Sequence, residues 1–167
     1  MKHALLLAAS LCCLAPAGEL HACYLNESGT QQRFLLNRGE AFDTKTGLTW
    51  KRCSLGEQWD GKHGCTGEMV FARLADAKRM AKEAGPEWRV PSGPELEGII
   101  DRSCGRPVVD KTVFPDIRPD EDGAAEYWTT NAVGAAGLFY FFDFMTGQAD
   151  GHSSGFHLAV RLVRTGK

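Results

Sequence analysis

Beyond Ala17 the sequence has no long apolar run, and a membrane span needs roughly 20 such residues. No transmembrane segment is therefore expected. It has no C-x2-C pair either, the usual opening of a cysteine-bound zinc site. A surplus of charge is also missing, since 19 basic and 21 acidic residues leave a net charge of −2. A field that weak does not recruit nucleic acid or a membrane surface, so polyanion binding would need a local patch. No low-complexity linker and no repeat of fixed period interrupts the chain, so no internal domain boundary is expected.

What is present begins with MKHALLLAASLCCLAPA, a lysine followed by a short apolar run that closes on Ala15-Pro16-Ala17. That is the layout of a secretory signal peptide, expected over residues 1–22, with cleavage after Ala17 or Ala22. Leu20-His21-Ala22-Cys23 loosely resembles a lipobox. Glu19 and His21 argue against acylation there, and so does cysteine parity. Removing Cys12 and Cys13 leaves Cys23, Cys53, Cys65 and Cys104. An exported compartment favours disulfides, and four thiols pair without remainder. Residues 23–167 then form one exported domain, periplasmic or at the cell surface, large enough for a single core.

Arg33–Asn37 and Ala41–Asp43 flank Arg38-Gly39-Glu40 and predict a hairpin. A turn over Asp43–Gly47 leads to a short strand, Leu48–Trp50. From about Val70, Phe71, Leu74, Ala77, Ala81 and Ala84 recur at helical spacing until Gly85-Pro86. Ser92 and Glu95 have capping-box spacing, which predicts a second helix running to about Ser103. A Pro- and Asp-rich loop follows, then strands at Tyr127–Thr130, Leu138–Phe144 and His157–Val163. The last of these alternates as a half-buried strand does. Two helices between early and late strands predict an α+β fold, with helices packed on antiparallel strands.

Several ordered motifs carry a resemblance. Asp43-Thr44-Lys45-Thr46-Gly47-Leu48-Thr49-Trp50-Lys51-Arg52-Cys53 resembles the opening signature of the bacterial Lcl C-terminal domain family. Glu87–Ser92, Glu95–Asp101, Tyr127–Thr130, Leu138–Gly147 and Val160–Arg164 resemble its later motifs in the same order. The resemblance spans nearly all of the chain after the opening segment. It implies a C-type-lectin-like fold and a binding or adhesion role at the envelope, the namesake being an adhesin domain that binds sulfated polysaccharide. Fold carries over better than ligand. The resemblance also pairs Cys53 with Cys65, leaving Cys23 to meet Cys104.

Cys53 and Cys65 bracket a loop that could be a metal site, a reactive thiol pair or a staple. The wide spacing and the oxidising compartment favour the staple. Within it, Trp59, Lys62 and His63 sit among glycines. They either offer an aromatic and cationic surface to a sugar or an anion, or fold back over the domain edge. Lys78, Arg79 and Lys82 on the first helix are the candidate polyanion patch, diluted by Asp76 and Glu83.

Gly151-His152-Ser153-Ser154-Gly155 fits the G-x-S-x-G pattern. The reaction needs a strand–turn–helix elbow with an acid and a histidine later in the chain, and no acid lies beyond Asp150. Asp116, Asp120, Glu121, Asp122 and Glu126 do not have calcium-loop spacing and are expected to be solvated. Trp50, Trp88 and Trp128 are expected in the core. At least one of Arg89 and Arg161 is expected to be buried against a carboxylate or carbonyls. No catalytic residue, metal or cofactor is expected. The expected function is an exported binding module for a polysaccharide, anionic ones included, or for an envelope protein. The rivals are an enzyme resembling the formylglycine-generating one and an oligomeric structural subunit of a surface assembly.

Overall fold

The computed structural model describes residues 33–62, 64–134 and 137–167. The expected signal segment and Cys23 lie outside them. Strands β1 (Phe34–Asn37), β2 (Glu40–Asp43) and β3 (Leu48–Lys51) form an antiparallel meander, and β9 (Val163–Thr165) pairs with the free edge of β3. The chain end thus returns to the strands that open the described domain. A small hairpin, β4 (Glu57–Trp59) with β5 (Cys65–Gly67), follows, then helices α1 (Leu74–Glu83) and α2 (Gly93–Glu97). A second meander closes the order: β6 (Glu126–Ala132), β7 (Leu138–Asp143) and β8 (Gln148–Ser153). The architecture is α+β, with the helices between early and late strands, as the periodicity predicts.

One turn is used twice. In Asp43-x-x-Thr46-Gly47, between β2 and β3, the aspartate accepts from the Lys45 N–H and the Thr46 hydroxyl, and the Gly47 N–H donates to the Asp43 carbonyl. In Asp143-x-x-Thr146-Gly147, between β7 and β8, Met145, Thr146 and Gly147 make the same three bonds. Both glycines sit near φ 70°, the left-handed region that needs no Cβ. Each aspartate then ties its turn to the body of the domain. Asp43 accepts from Nε and Nη2 of Arg33, and Asp143 accepts the Ala125 N–H.

Four elements differ from the sequence reading. First, α1 starts at Leu74, not near Val70. The Val70 N–H donates to the Leu55 carbonyl and Ala72 bridges Leu158, so these residues run extended. The helix buries Leu74, Ala77 and Ala81, one stripe at three- and four-residue spacing. Second, α2 has the expected Ser92/Glu95 capping box but ends at Glu97. Past Gly98 the Asp101 N–H turns to the Val108 carbonyl, and a 3-10 turn, Arg102–Cys104, replaces the helix. Third, Leu158–Val163 is not half-buried. All six residues are buried, and isolated bridges to Ala72, Tyr127 and Arg89 hold the run between the two meanders. Fourth, Gln148–Ser153 is strand β8, where the sequence predicts a Gly- and Ser-rich loop from Gly151 onward.

The core has two lobes. One gathers Phe34, Trp50, Leu96, Ile99, Phe114, Ile117, Tyr127 and Phe144, with Phe114 meeting Phe34 and Trp50 edge to face. The other packs α1 against Trp88, Trp128, Phe141, Val160 and Leu162. The three tryptophans expected inside are inside.

Candidate functional site

Cys53 and Cys65 are joined by a disulfide across the β4–β5 hairpin. Cys104 is also disulfide-bonded, and its expected partner, Cys23, lies outside the described residues. The hairpin carries Trp59 back onto the domain. The Arg52 guanidinium lies 3.6 Å from the ring centroid, held there by bonds to the carbonyls of Val113, Arg38 and Thr112. Trp59 Cβ also sits so close to Gly39 that an added Cβ there would come within 2.9 Å. One face of the indole is therefore covered, and Trp59 also lines a groove with Lys51 and Gln58. Lys62 is exposed, its N–H bonded to Asp60. His63 lies outside the described residues.

The basic face of α1 is locally satisfied. Arg79 bonds Glu83 at 2.7 Å and Asp76 at 3.3 Å, and these two acids raise its pKa. Lys82 donates to the Pro86 carbonyl, and Lys78 lies over the Phe139 ring. Surface cations held this way contribute little net field to a polyanion.

The structure corrects the reading of Asp116, expected in a solvated run. It is 5% exposed and bonds the fully buried Arg161 at 2.7 and 2.9 Å. The same aspartate accepts the Ser54 N–H, and Arg161 reaches the Ser54 hydroxyl, which pairs with Tyr127. Burial works against ionisation of Asp116, but the charge of Arg161 and these bonds hold its pKa low. Burial pushes the Tyr127 hydroxyl up to about 12. Arg89, the other cation in an apolar segment, grips Glu95 with both arms at 2.7 Å.

Glu57 closes this buried cluster. Burial and the neighbouring Asp116 raise its pKa. Glu57, Asp116 and Cys65 offer ligand atoms within 4.8 Å of one another. However, Cys65 is consumed by the disulfide and Asp116 is saturated by Arg161 and Ser54, so the set fits a structural network better than a metal. Ser153, in the G-x-S-x-G match, ends strand β8 with a turn after it, and no helix follows to make an elbow.

The feature with the shape of a binding site lies elsewhere, along the start of β6 and the end of β8. A cavity of about 380 Å³ is walled by Phe71, Phe156, His152 and Tyr127 and rimmed by Arg118, Asp120, Glu121 and Glu126. That volume falls within the range of small-ligand clefts. His152 is stacked between Phe141 and Phe156, with centroids 4.6 and 4.1 Å away. Phe71 and Phe156 are each 51% exposed although large and apolar. Glu126 faces His152 at 3.6 Å, and its acid is raised by burial and by the negative charges of Asp143 and Asp120.

The sequence places Phe71 in the α1 stripe, Tyr127 in a family motif and His152 in the G-x-S-x-G match, none of them as a ligand-binding residue; Phe71 in fact precedes the helix and is half exposed. The available signal was Phe156 itself, a large ring in an otherwise Gly- and Ser-rich turn. Among the described residues no helix is long and apolar enough to cross a membrane.

Comparison with protein families finds the Lcl C-terminal domain over residues 39–164. Comparison with curated proteins finds no match.

Proposed function

Because the chain belongs to the Lcl C-terminal domain family, we propose that it is an exported, C-type-lectin-like binding module of the bacterial envelope, without catalysis, that holds a saccharide between Phe71 and Phe156. The observation that carries this reading is the half-exposure of those two rings in one cleft. Leaving apolar area in water costs about 25 cal/mol per Å², so exposed rings gathered in a concavity are worth explaining by what covers them. A pyranose ring offers an apolar C–H face for the rings and hydroxyl donors for Asp120, Glu121 and Glu126. The Phe141–His152–Phe156 stack fixes the Phe156 ring before any ligand arrives, which lowers the ordering cost of binding.

The absence of an elbow after Ser153 and the disulfide-bonded state of the described cysteines favour holding a ligand over acyl or thiol chemistry. The secretory layout of the opening segment supports export.

The test is a panel of immobilised glycans probed with the disulfide-intact protein and with Phe156→Ala. Binding to a defined subset that the variant loses is the expected result. A panel with no hits, or hits that survive in the variant, refutes the proposal.

A further inference from the structure

We propose that this groove selects saccharides bearing a free primary ammonium group, amino sugars without N-acetylation, over neutral and sulfated ones. The inference rests on the saccharide reading of the groove and adds the chemical class of the ligand.

The groove holds three carboxylates, Asp120, Glu121 and Glu126, against one guanidinium and two imidazoles, His152 and His157. Arg118 commits its Nη1 to Glu57 at 3.0 Å and to the Asp116 carbonyl at 3.1 Å, neither of which lines the groove. Asp120 uses one oxygen to cap its own loop, accepting the Asp122 and Ala124 N–H groups. Its other oxygen takes no hydrogen bond among the described residues. Glu126 has one close partner among the described residues, His152, at 3.6 Å. The carboxyl of Glu126 is harder to ionise than usual, first from burial and then from Asp143 and Asp120, as expected where negative potential accumulates.

Acceptors and exposed ring faces then meet in one cleft. An ammonium uses both: it donates charge-assisted bonds to carboxylates and is attracted to the face of an aromatic ring. A sulfate brings a second negative charge to a negative rim, an arrangement that costs affinity and excludes partners. An acetamido group keeps the sugar but removes the charge.

Calorimetric titration of the disulfide-intact protein with glucosamine trisaccharide, its N-acetylated counterpart, a heparin oligosaccharide and trilysine decides this. The glucosamine trisaccharide should bind about tenfold more tightly than the acetylated form, the size of one charge-assisted hydrogen bond. That advantage should shrink in high salt. Glu126→Gln should bring the affinity ratio close to one, with its urea midpoint confirming that it folds. Equal or tighter binding of the acetylated sugar or of heparin overturns the ammonium selectivity and leaves the saccharide site standing. Tighter binding of trilysine overturns it in favour of a peptide ligand. Failure of all the saccharides removes the saccharide reading itself, and the selectivity with it.

Discussion

Asp116 and Arg161 meet in the interior, both carboxylate oxygens within 2.9 Å of one guanidinium nitrogen. Neither side chain is more than 1% exposed. The two come from distant segments, the Pro-rich loop and the buried run before β9, so the pair fixes how the last strand sits on the rest of the domain. Removing one partner leaves the other charge buried and uncompensated, which typically costs 3–5 kcal/mol, so Asp116→Asn should destabilise by roughly that amount. The shift of the urea midpoint measures it; a change below about 1 kcal/mol would place the pair outside the stability of the domain.

Glu57 beside this pair predicts the opposite sign. Its folded-state pKa is raised, by burial first and then by Asp116. The stability it contributes is present at pH values below its ordinary pKa and is lost as the pH rises through the folded value. Glu57→Gln keeps the shape and removes that loss. The variant should be more stable than wild type at neutral pH, with the difference shrinking as the medium is made acidic. Denaturant midpoints across that range check it.

How much of this was legible beforehand depended on whether a residue's role was local. The Ser92/Glu95 box, the Arg38-Gly39 hairpin and the α1 stripe are set by neighbours a few residues away, and sequence spacing shows them. Asp116 was misread because acids in a Pro-rich loop are usually solvated, and only Arg161, 45 residues later, makes it otherwise. Leu158–Val163 alternates like an edge strand but is buried on both faces by bridges to Ala72, Tyr127 and Arg89. The groove is the least local feature of all. Its walls come from segments around Phe71, Asp120, Glu126 and Phe156, which no single stretch of sequence brings together. The family resemblance implies the Cys53–Cys65 pairing, and the structure has it; Cys23, the expected partner of Cys104, lies outside the described residues.

Glu95 offers a pH test at the capping box. The two arms of Arg89 hold its pKa down at about 2, with the Ser92 N–H and hydroxyl assisting against burial. A depressed carboxyl contributes stability above its ordinary pKa, and that stability is lost as the pH falls toward the folded value. Allowing for partial exposure, the contribution is about 2 kcal/mol. Wild type should lose this between its ordinary range near 4.5 and about 2, whereas Glu95→Gln should already lack it at neutral pH. Parallel acid-titration curves for the two proteins would contradict the assignment.

The duplicated turn separates backbone strain from packing. Gly47 and Gly147 share the left-handed conformation, but a Cβ on Gly47 meets nothing within 4 Å. On Gly147 it would come within 3.0 Å of Arg102 Nη1 and 3.2 Å of Val108 Cγ2. Gly47→Ala should cost about 1 kcal/mol, the penalty of the left-handed region alone. Gly147→Ala should cost about 1–3 kcal/mol more, because Arg102 would have to leave the Thr146 and Gly147 carbonyls it bonds at 2.9 Å. Thermal or urea melts of the two variants make the comparison.

The central claim, that the cleft between Phe71 and Phe156 is where a saccharide is held, is tested most directly by backbone amide shifts during separate titrations with glucosamine trisaccharide, its N-acetylated counterpart and a heparin oligosaccharide, read with the one that binds most tightly. The account predicts saturating shifts at Phe71, Glu126, His152 and Phe156, with the Trp59 hairpin and the α1 surface still, and loss of the response in Phe156→Ala. Saturating shifts confined to Trp59, Lys62 or Lys78–Lys82, or no shifts at any concentration reached, would contradict it.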